Sequence, residues 1–315
     1  MKPLVRSWRA ILESLNSYLD RSVKESQDDQ QKPELKQEEK QEQGQEPQEE
    51  QEQKQEEKQE PEQKTTMLAP TLPPKAKILM LHGNGQSGDF FRCKTRFLHA
   101  PILQAFEAAA NTGCEPSFSG IQFDYPDGPI PTPPPDTTLY PEEPTTFNWG
   151  YGDLSSGGGA ILGAEKALDA ILHELSTNGP YVGIIGFSAG AALAVVTASV
   201  LENKHRPPIP IPKSKLTHPP LSFVVAFGGF VLGGEKYQHA YEMKVQTPVL
   251  QFIGDVDPIV PEDENMKLMG HCEWGLMVRF FGAHYVPRGR EVAGTIVEFI
   301  EDAMGWVDRW GWTDV

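Results

Sequence analysis

A serine lies at the centre of a glycine-flanked turn, Gly186-Phe187-Ser188-Ala189-Gly190. The apolar run at residues 181–185 predicts a strand before the turn, and the run at 191–196 predicts a helix after it. This context is typical of a G-x-S-x-G nucleophile elbow, in which a side chain at either glycine would collide with neighbouring backbone. The helix would begin beneath Ser188, so its unpaired N–H groups would face developing negative charge. The pattern predicts that Ser188 is a nucleophile.

A serine hydroxyl is a weak nucleophile, so it needs a base within hydrogen-bond reach and an acid that orients the base. His284 follows a predicted strand at 276–281, behind a Gly-Ala pair that leaves room for an imidazole. Asp255 and Asp257 follow a predicted strand at 248–253. The order serine, aspartate, histidine is that of α/β-hydrolases. We predict His284 as the base and favour Asp257 over Asp255 as the acid, the other aspartate being a turn residue.

The remaining histidines outside the glycine-rich loop lie on predicted helices or polar loops, where a solvated or capping role is the default interpretation. They are His99, His173, His205, His218, His239 and His271.

An oxyanion hole would consist of two backbone N–H groups. Ala189 follows the nucleophile directly, and Asn84 lies in the glycine-rich loop at 82–88.

The loop at 82–88 lacks the G-K-[ST] of a phosphate-binding loop. Its glycines do fit the spacing G-x-G-x-x-G, but His82 and the later elbow favour a hydrolase over a nicotinamide enzyme. No histidine or cysteine spacing is typical of a metal site. We therefore predict neither a cofactor nor a metal.

The elements that would position these residues are short apolar strands separated mostly by helices, which is typical of a parallel sheet buried on both faces. The strands are predicted at 75–81, 121–123, 181–185, 221–227, 248–253 and 276–281, and the helices at 89–110, 157–175 and 291–304. Pro101 is expected to kink or break the helix at 89–110. The predicted fold class is α/β, with helices on both faces of a mostly parallel central sheet. The candidate residues follow strand ends, where such sheets bind ligands.

A proline-rich stretch at 126–144 is predicted to be neither sheet nor helix. Phe147, Trp149 and Tyr151 follow it directly. Two interpretations stay open: a stiff loop whose exposed aromatic side chains form a wall or lid of the substrate pocket, and a packed surface loop.

The chain divides into three predicted parts. Residues 1–24 have apolar side chains at helical spacing, which suits docking on this protein or a partner, contact with a membrane surface, or organelle targeting. Residues 25–70 form a linker rich in Gln, Glu and Lys that is expected to be disordered. Residues 71–315 form the predicted catalytic domain.

Composition excludes some classes of function. The net charge is −16 and there is no basic stripe, which argues against nucleic-acid binding. The three cysteines, Cys93, Cys114 and Cys272, are far apart and odd in number, which suits a reducing compartment. We expect a cytoplasmic protein, or a mitochondrial one if residues 1–24 act as a targeting helix. No run of about 18 apolar residues predicts a transmembrane helix.

Four blocks together resemble the FSH family of serine hydrolases within the α/β-hydrolase superfamily. They are residues 81–88 with Phe91 and Lys94, residues 123–129, the elbow at 186–191, and residues 254–260 with 282–284. The resemblance covers residues 75–304 and implies the triad Ser188, Asp257 and His284. It also implies activities found in the family, which includes small cytosolic carboxylesterases and thiohydrolases that release acyl chains from carrier proteins in fungal polyketide pathways. The long stretch at 126–147 and the first 70 residues depart from the family pattern.

The leading hypothesis is a serine hydrolase that cleaves small carboxylic esters or thioesters through an acyl-enzyme. A second is a thiohydrolase of secondary metabolism that takes its acyl or polyketide chain from a carrier protein. A third, of another class, is an interaction protein tethered through its N-terminal extension.

Overall fold

The computed structural model describes residues 75–113, 118–132, 146–150, 163–204, 209, 211–212 and 215–306. The helix expected at 1–24 and the linker expected at 25–70 lie outside these ranges. So do Cys114, Tyr151 and His205.

A six-stranded parallel sheet forms the centre of the described structure. The strands in chain order are β1 (Ala76–Leu81), β2 (Ile121–Asp124), β3 (Ile130–Thr132), β4 (Thr146–Asn148), β5 (Gly183–Phe187), β6 (Phe223–Phe227), β7 (Val249–Gly254) and β8 (Gly275–Phe280). The central sheet has the order β2-β1-β5-β6-β7-β8, and all its neighbours pair in parallel. Every strand predicted from an apolar run is present within a few residues. The predicted α/β class is confirmed.

Seven α-helices lie within the described ranges: α1 (Gly88–Thr95), α2 (His99–Thr112), α3 (Ala164–Asn178), α4 (Ala189–Glu202), α5 (Glu235–Gln238), α6 (Glu262–Gly270) and α7 (Arg290–Ala303). The single helix predicted at 89–110 is two helices, separated by a 3₁₀ turn at Arg96–Leu98. Pro101 lies in the first turn of α2 and does not break it, because an N–H in that turn has no intrahelical acceptor.

Two apolar cores cover the two faces of the sheet. On one face, Leu79, Ile184 and Val224 pack with helices α3 and α4. On the other, Ile78 and Val225 pack with α1, α2 and α7. Helix α4 is buried from Ala189 to Leu201 and so has no polar stripe. Burial of the sheet on both faces explains why its strands read as continuous apolar runs.

The proline-rich stretch contains one strand of a two-stranded antiparallel sheet, so the prediction of no regular structure at 126–144 is wrong at 130–132. Strand β3 pairs antiparallel with β4, and Pro131 lies opposite Phe147. A proline cannot donate to a strand ladder but is accepted in a two-stranded edge of this kind. Residues 133–145, which connect the two strands, lie outside the described ranges.

Two histidines that were expected to be solvated or capping residues pack inside the structure. His218 is buried; its Nε2 accepts the N–H of Tyr181 at 2.7 Å, and its Nδ1–H donates to the carbonyl of Pro219 at 2.6 Å. His99 is half-buried and stacks on Phe123 at 4.4 Å between ring centroids. Burial lowers the pKa of both imidazoles, so both are held neutral as structural groups.

Within the described residues, none of the helices has the length and apolar character needed to cross a bilayer.

Candidate active site

Ser188 lies in a strained turn between β5 and α4. Its φ is +55° and its ψ is −120°, and it is the one described non-glycine residue with a positive φ. A residue with a side chain pays about 1–3 kcal/mol for such a sparsely populated conformation. The surrounding bonds hold it: the Ser188 N–H donates to Phe227 O at 2.8 Å, and Ala192 N–H donates to Ser188 O at 3.0 Å. The turn therefore presents the hydroxyl at the carboxyl end of β5.

The two glycines of the elbow are required by close backbone approaches. A Cβ added at Gly186 would lie 2.5 Å from the carbonyl oxygen of Gly190. A Cβ added at Gly190 would lie 2.3 Å from the carbonyl oxygen of Leu81. Both distances are far shorter than van der Waals contact, so any larger residue would force the serine turn away from the end of β1.

Three side chains form a continuous chain of hydrogen bonds. His284 Nε2 lies 2.9 Å from Ser188 Oγ, and His284 Nδ1 lies 2.7 Å from Asp257 Oδ2. Because a carboxylate accepts, Nδ1 carries the proton and donates it, which leaves Nε2 free to accept from the serine hydroxyl. The His284 and Asp257 side chains are 14% and 3% exposed, so both work largely shielded from water. This is the arrangement that nucleophilic catalysis by serine requires.

Asp257, and not Asp255, is the carboxylate that the structure brings to His284. Its second oxygen accepts the N–H groups of Ile259 at 2.8 Å and Val260 at 2.9 Å, which fixes the carboxylate in its loop. Asp255 instead accepts the Nε–H of Arg279 at 2.9 Å in a partly exposed ion pair. Asp255 lies in the turn after β7, as expected for the other aspartate, but its side chain binds Arg279 and the side-chain turn bonds are made by Asp257.

Gly228 lies directly behind the imidazole. It follows β6, and its φ is +58°. A Cβ added there would lie 3.1 Å from His284 Cε1 and 3.2 Å from Nδ1. The absence of a side chain thus allows His284 to occupy its present position between Ser188 and Asp257.

We predict that Gly228→Ala lowers kcat about 10- to 100-fold, because the imidazole must shift by a few tenths of an ångström from its reactive geometry. Steady-state hydrolysis of a 4-nitrophenyl ester measures this effect. Gly113→Ala is the matched control: Gly113 also has a positive φ, +75°, but a Cβ there meets nothing within 4 Å. Both variants should lose about 1–2 kcal/mol of stability. Equal losses of kcat in the two would contradict the explanation.

His82 anchors the loop that follows β1. Its side chain is fully buried, and its Nε2 accepts the N–H of Gly128 at 2.9 Å. The proton therefore sits on Nδ1, which lies 2.7 Å from the carbonyl of Gly83. Burial lowers the pKa of His82, so the ring stays neutral and keeps this tautomer. This anchoring role was not predicted, although the position of His82 at a strand end was a signal for it.

Trp149 is a second anchor of the same loop. It is 1% exposed, so of the two open interpretations the packed one applies to this residue. Its Nε1–H donates to the carbonyl of His82 at 2.8 Å, and its backbone N–H donates to Asn84 Oδ1 at 3.2 Å. Nearby, Gly85 N–H donates to Phe147 O at 3.0 Å. The segment after the proline-rich stretch thus packs beneath the loop at 82–88 and fixes its backbone.

The two residues predicted to supply oxyanion N–H groups follow neighbouring strands. Ala189 is the first residue of α4, where N–H groups have no intrahelical acceptor. Asn84 lies in the loop after β1, next to Gly83. A Cβ added at Gly83 would lie 3.4 Å from the Cβ of Ser188, so this loop contacts the serine turn directly.

Across the described ranges, no group of three or more histidine, cysteine or acidic side chains is arranged to hold a metal ion.

Comparison with known proteins identifies the family. The family model described as serine hydrolase (FSH1) matches residues 71–296, which is more than half of the chain. The chain belongs to the FSH1 serine hydrolase family. The protein is therefore a hydrolytic enzyme with the α/β-hydrolase fold, as the sequence blocks indicated.

The relatives of this FSH1 family member described below align with it over most of their own length. The chain is 26% identical over 238 residues to family of serine hydrolases 2 from Saccharomyces cerevisiae, covering 71% of this chain and 97% of the relative. It is 27% identical over 243 residues to esterase OVCA2 from Bos taurus, covering 72% and 96%. The solved structure of acyl-protein thioesterase 2 from Zea mays is similar over 76% of this chain and 97% of that chain, with a TM-score of 0.47 and 18% identity.

Proposed function

We propose that the protein cleaves carboxylic esters or thioesters through a covalent acyl-enzyme on Ser188. The observation that carries this proposal is the unbroken hydrogen-bond chain from Ser188 through His284 to Asp257, set at a strained elbow. Membership of a serine hydrolase family and the esterase names of relatives support it.

In the first half of the reaction, Ser188 Oγ forms a bond to the substrate carbonyl carbon while its proton passes to His284 Nε2. Asp257 stabilises the imidazolium that results and keeps its second proton on Nδ1. The carbonyl oxygen becomes an oxyanion, which the N–H groups of Ala189 and Asn84 stabilise. Removing one such donor typically costs about 10²–10³ in rate.

In the second half, the bond to the leaving oxygen or sulfur breaks, and His284 gives its proton to that leaving group. A water molecule then attacks the acyl-enzyme and passes a proton to His284. Release of Ser188 regenerates the starting state and frees the carboxylic acid. No oxidant, reductant or cofactor is needed for this cycle.

The choice between oxygen ester and thioester is not fixed by the hydrogen-bond chain, because both leaving groups need the same base and acid. The net charge of −16 disfavours docking of an acidic acyl-carrier protein, so we place a small-molecule substrate first.

We also propose a reducing compartment such as the cytoplasm, since the described cysteines, Cys93 and Cys272, are free thiols.

The experiment that tests the proposal offers one acyl group in two forms, as an oxygen ester and as a pantetheine thioester. We expect both to be cleaved and a fluorophosphonate probe to label Ser188 stoichiometrically. A preference of more than tenfold for the thioester, about 1.4 kcal/mol of transition-state discrimination, would move the carrier-release activity ahead. Equal or better cleavage of the oxygen ester would favour a general carboxylesterase. Failure of cleavage together with failure of labelling would overturn the proposal.

A further inference from the structure

Lys94, close to the Ser188 elbow, and Arg288, on the loop after His284, are two positively charged side chains without an acidic partner among the described residues. Lys94 is half-buried on α1, and Arg288 is exposed on the loop that follows His284. Among the described residues, no carboxylate lies within ion-pair distance of either side chain. This is unusual in a chain with a net charge of −16, where carboxylates outnumber the basic groups.

The Lys94 ammonium is held close to the serine elbow by aromatic rings. Its Nζ lies 5.0 Å from the ring centroid of Phe187, the residue directly before Ser188, and 4.6 Å from that of Phe90. The Phe187 ring is 3% exposed and lies 4.8 Å from the His284 ring. A single buried ring therefore separates the Lys94 ammonium from the imidazole.

Phe90 forms the outer side of this arrangement. It is 51% exposed, so the ammonium contacts one buried ring and one solvent-facing ring. The carbon stem of Lys94 can follow the apolar surface while its charged end stays accessible to a ligand.

The charges of Lys94 and Arg288 indicate that an anion would complete this pair of cations. Burial lowers the pKa of Lys94, and the positive charge of Arg288 lowers it further. A half-buried cation beside a like charge is unfavourable unless an anion or an aromatic face offsets it. The two rings supply part of that compensation through cation–π contacts. An anion that met both cations would supply the rest.

We propose that Lys94 and Arg288 form a subsite for an anionic group, a carboxylate or a phosphate, carried by the substrate near its scissile bond. This subsite rests on the proposed function, because it selects among the esters that Ser188 cleaves. Phe90 packs against the apolar part of the same substrate. The enzyme is thereby selective for charged esters over neutral ones of equal size.

Two matched pairs of esters test the subsite. The acyl pair is the mono-4-nitrophenyl ester of glutaric acid and the same ester with its free acid methylated. The leaving-group pair is 4-acetoxybenzoate and its methyl ester. The measured quantity is the ratio of kcat/KM for the anionic member to that for the neutral member. Comparing this ratio between variant and wild type cancels the intrinsic reactivity of each ester.

We expect Lys94→Met to lower the ratio more than tenfold in at least one pair, and Lys94→Arg to retain most of it. The pair that responds identifies the side of the scissile bond that carries the anion. Arg288→Gln should lower the same ratio several-fold and cannot disturb the core, since Arg288 is exposed. Lys75→Met, a change at an exposed lysine before β1, is the control that leaves the ratio unchanged.

The proposal is overturned if Lys94→Met and Arg288→Gln leave the ratio unchanged in both pairs, since Lys94 would then only pack against the rings. Failure of the underlying function has a different signature. In that case Ser188→Ala would keep the activity on all four esters, whatever the ratios were.

Discussion

Ser188→Ala is expected to lower kcat/KM on any good ester substrate by about 10⁴- to 10⁶-fold. The change removes the Oγ that forms the acyl bond, and with it the 2.9 Å hydrogen bond to His284 Nε2. Alanine keeps the Cβ, so the strain at φ +55° and the fold of the turn are unchanged. The residual rate would come from a water molecule that uses the remaining base and oxyanion donors.

Two measurements test this prediction independently. Steady-state hydrolysis gives the loss of rate, and mass spectrometry with a fluorophosphonate probe reports whether a covalent adduct still forms. Ser119→Ala, at an exposed serine before β2, should keep both the rate and the adduct. A Ser188→Ala enzyme with more than a tenth of wild-type activity and an unchanged melting temperature would show that another residue is the nucleophile.

Asp257→Asn is expected to lower kcat by about 10⁴-fold with a small change in KM. The asparagine oxygen can keep the bonds to the N–H groups of Ile259 and Val260, so the loop should retain its shape. Its NH₂ group would then face His284 Nδ1 and donate to it. The imidazole would be forced into the tautomer with the proton on Nε2, which cannot accept from Ser188.

The matched control for this change is Asp255→Asn. Asp255 lies two residues away and faces Arg279 in a partly exposed ion pair, which typically contributes about 0–1 kcal/mol. Its removal should leave kcat within about twofold of wild type. If the two variants lost activity equally, the assignment of Asp257 as the orienting acid would be wrong.

The sheet and the placement of the candidate residues could be predicted because both depend on local patterns. Each strand of the central sheet is an apolar run that ends in a turn signal, and parallel strands bring their carboxyl ends to one edge. Ser188, Asp257 and His284 each follow such an end, so their proximity follows from the topology. The choice between Asp257 and Asp255 rested on a shift of two residues within a loop, which spacing alone could not resolve.

The features that the sequence did not indicate depend on contacts between distant segments. The proline-rich sequence before Trp149 left an exposed and a packed position equally open, and the structure places the side chain in the interior, where it bonds the carbonyl of His82. The polar loop around His218 favours a solvated or capping role, yet its side chain is 3% exposed and accepts the N–H of Tyr181. In both cases the side chain satisfies a backbone group that is close in space and far in sequence, and no periodicity reports such a pairing.

The β3–β4 hairpin has a consequence for how the enzyme's specificity can diversify. Its two strands pair with each other, and β4 bonds the loop at 82–88, so Thr132 and Thr146 hold fixed positions on either side of residues 133–145. With fixed ends, a longer connection costs little, about 0.6 kcal/mol for each doubling of its length. Insertions between Thr132 and Thr146 would change the surface next to the hairpin while the serine elbow keeps its geometry. The hairpin is thus a position at which evolution or a designer can replace one segment while the central sheet and its catalytic residues stay unchanged.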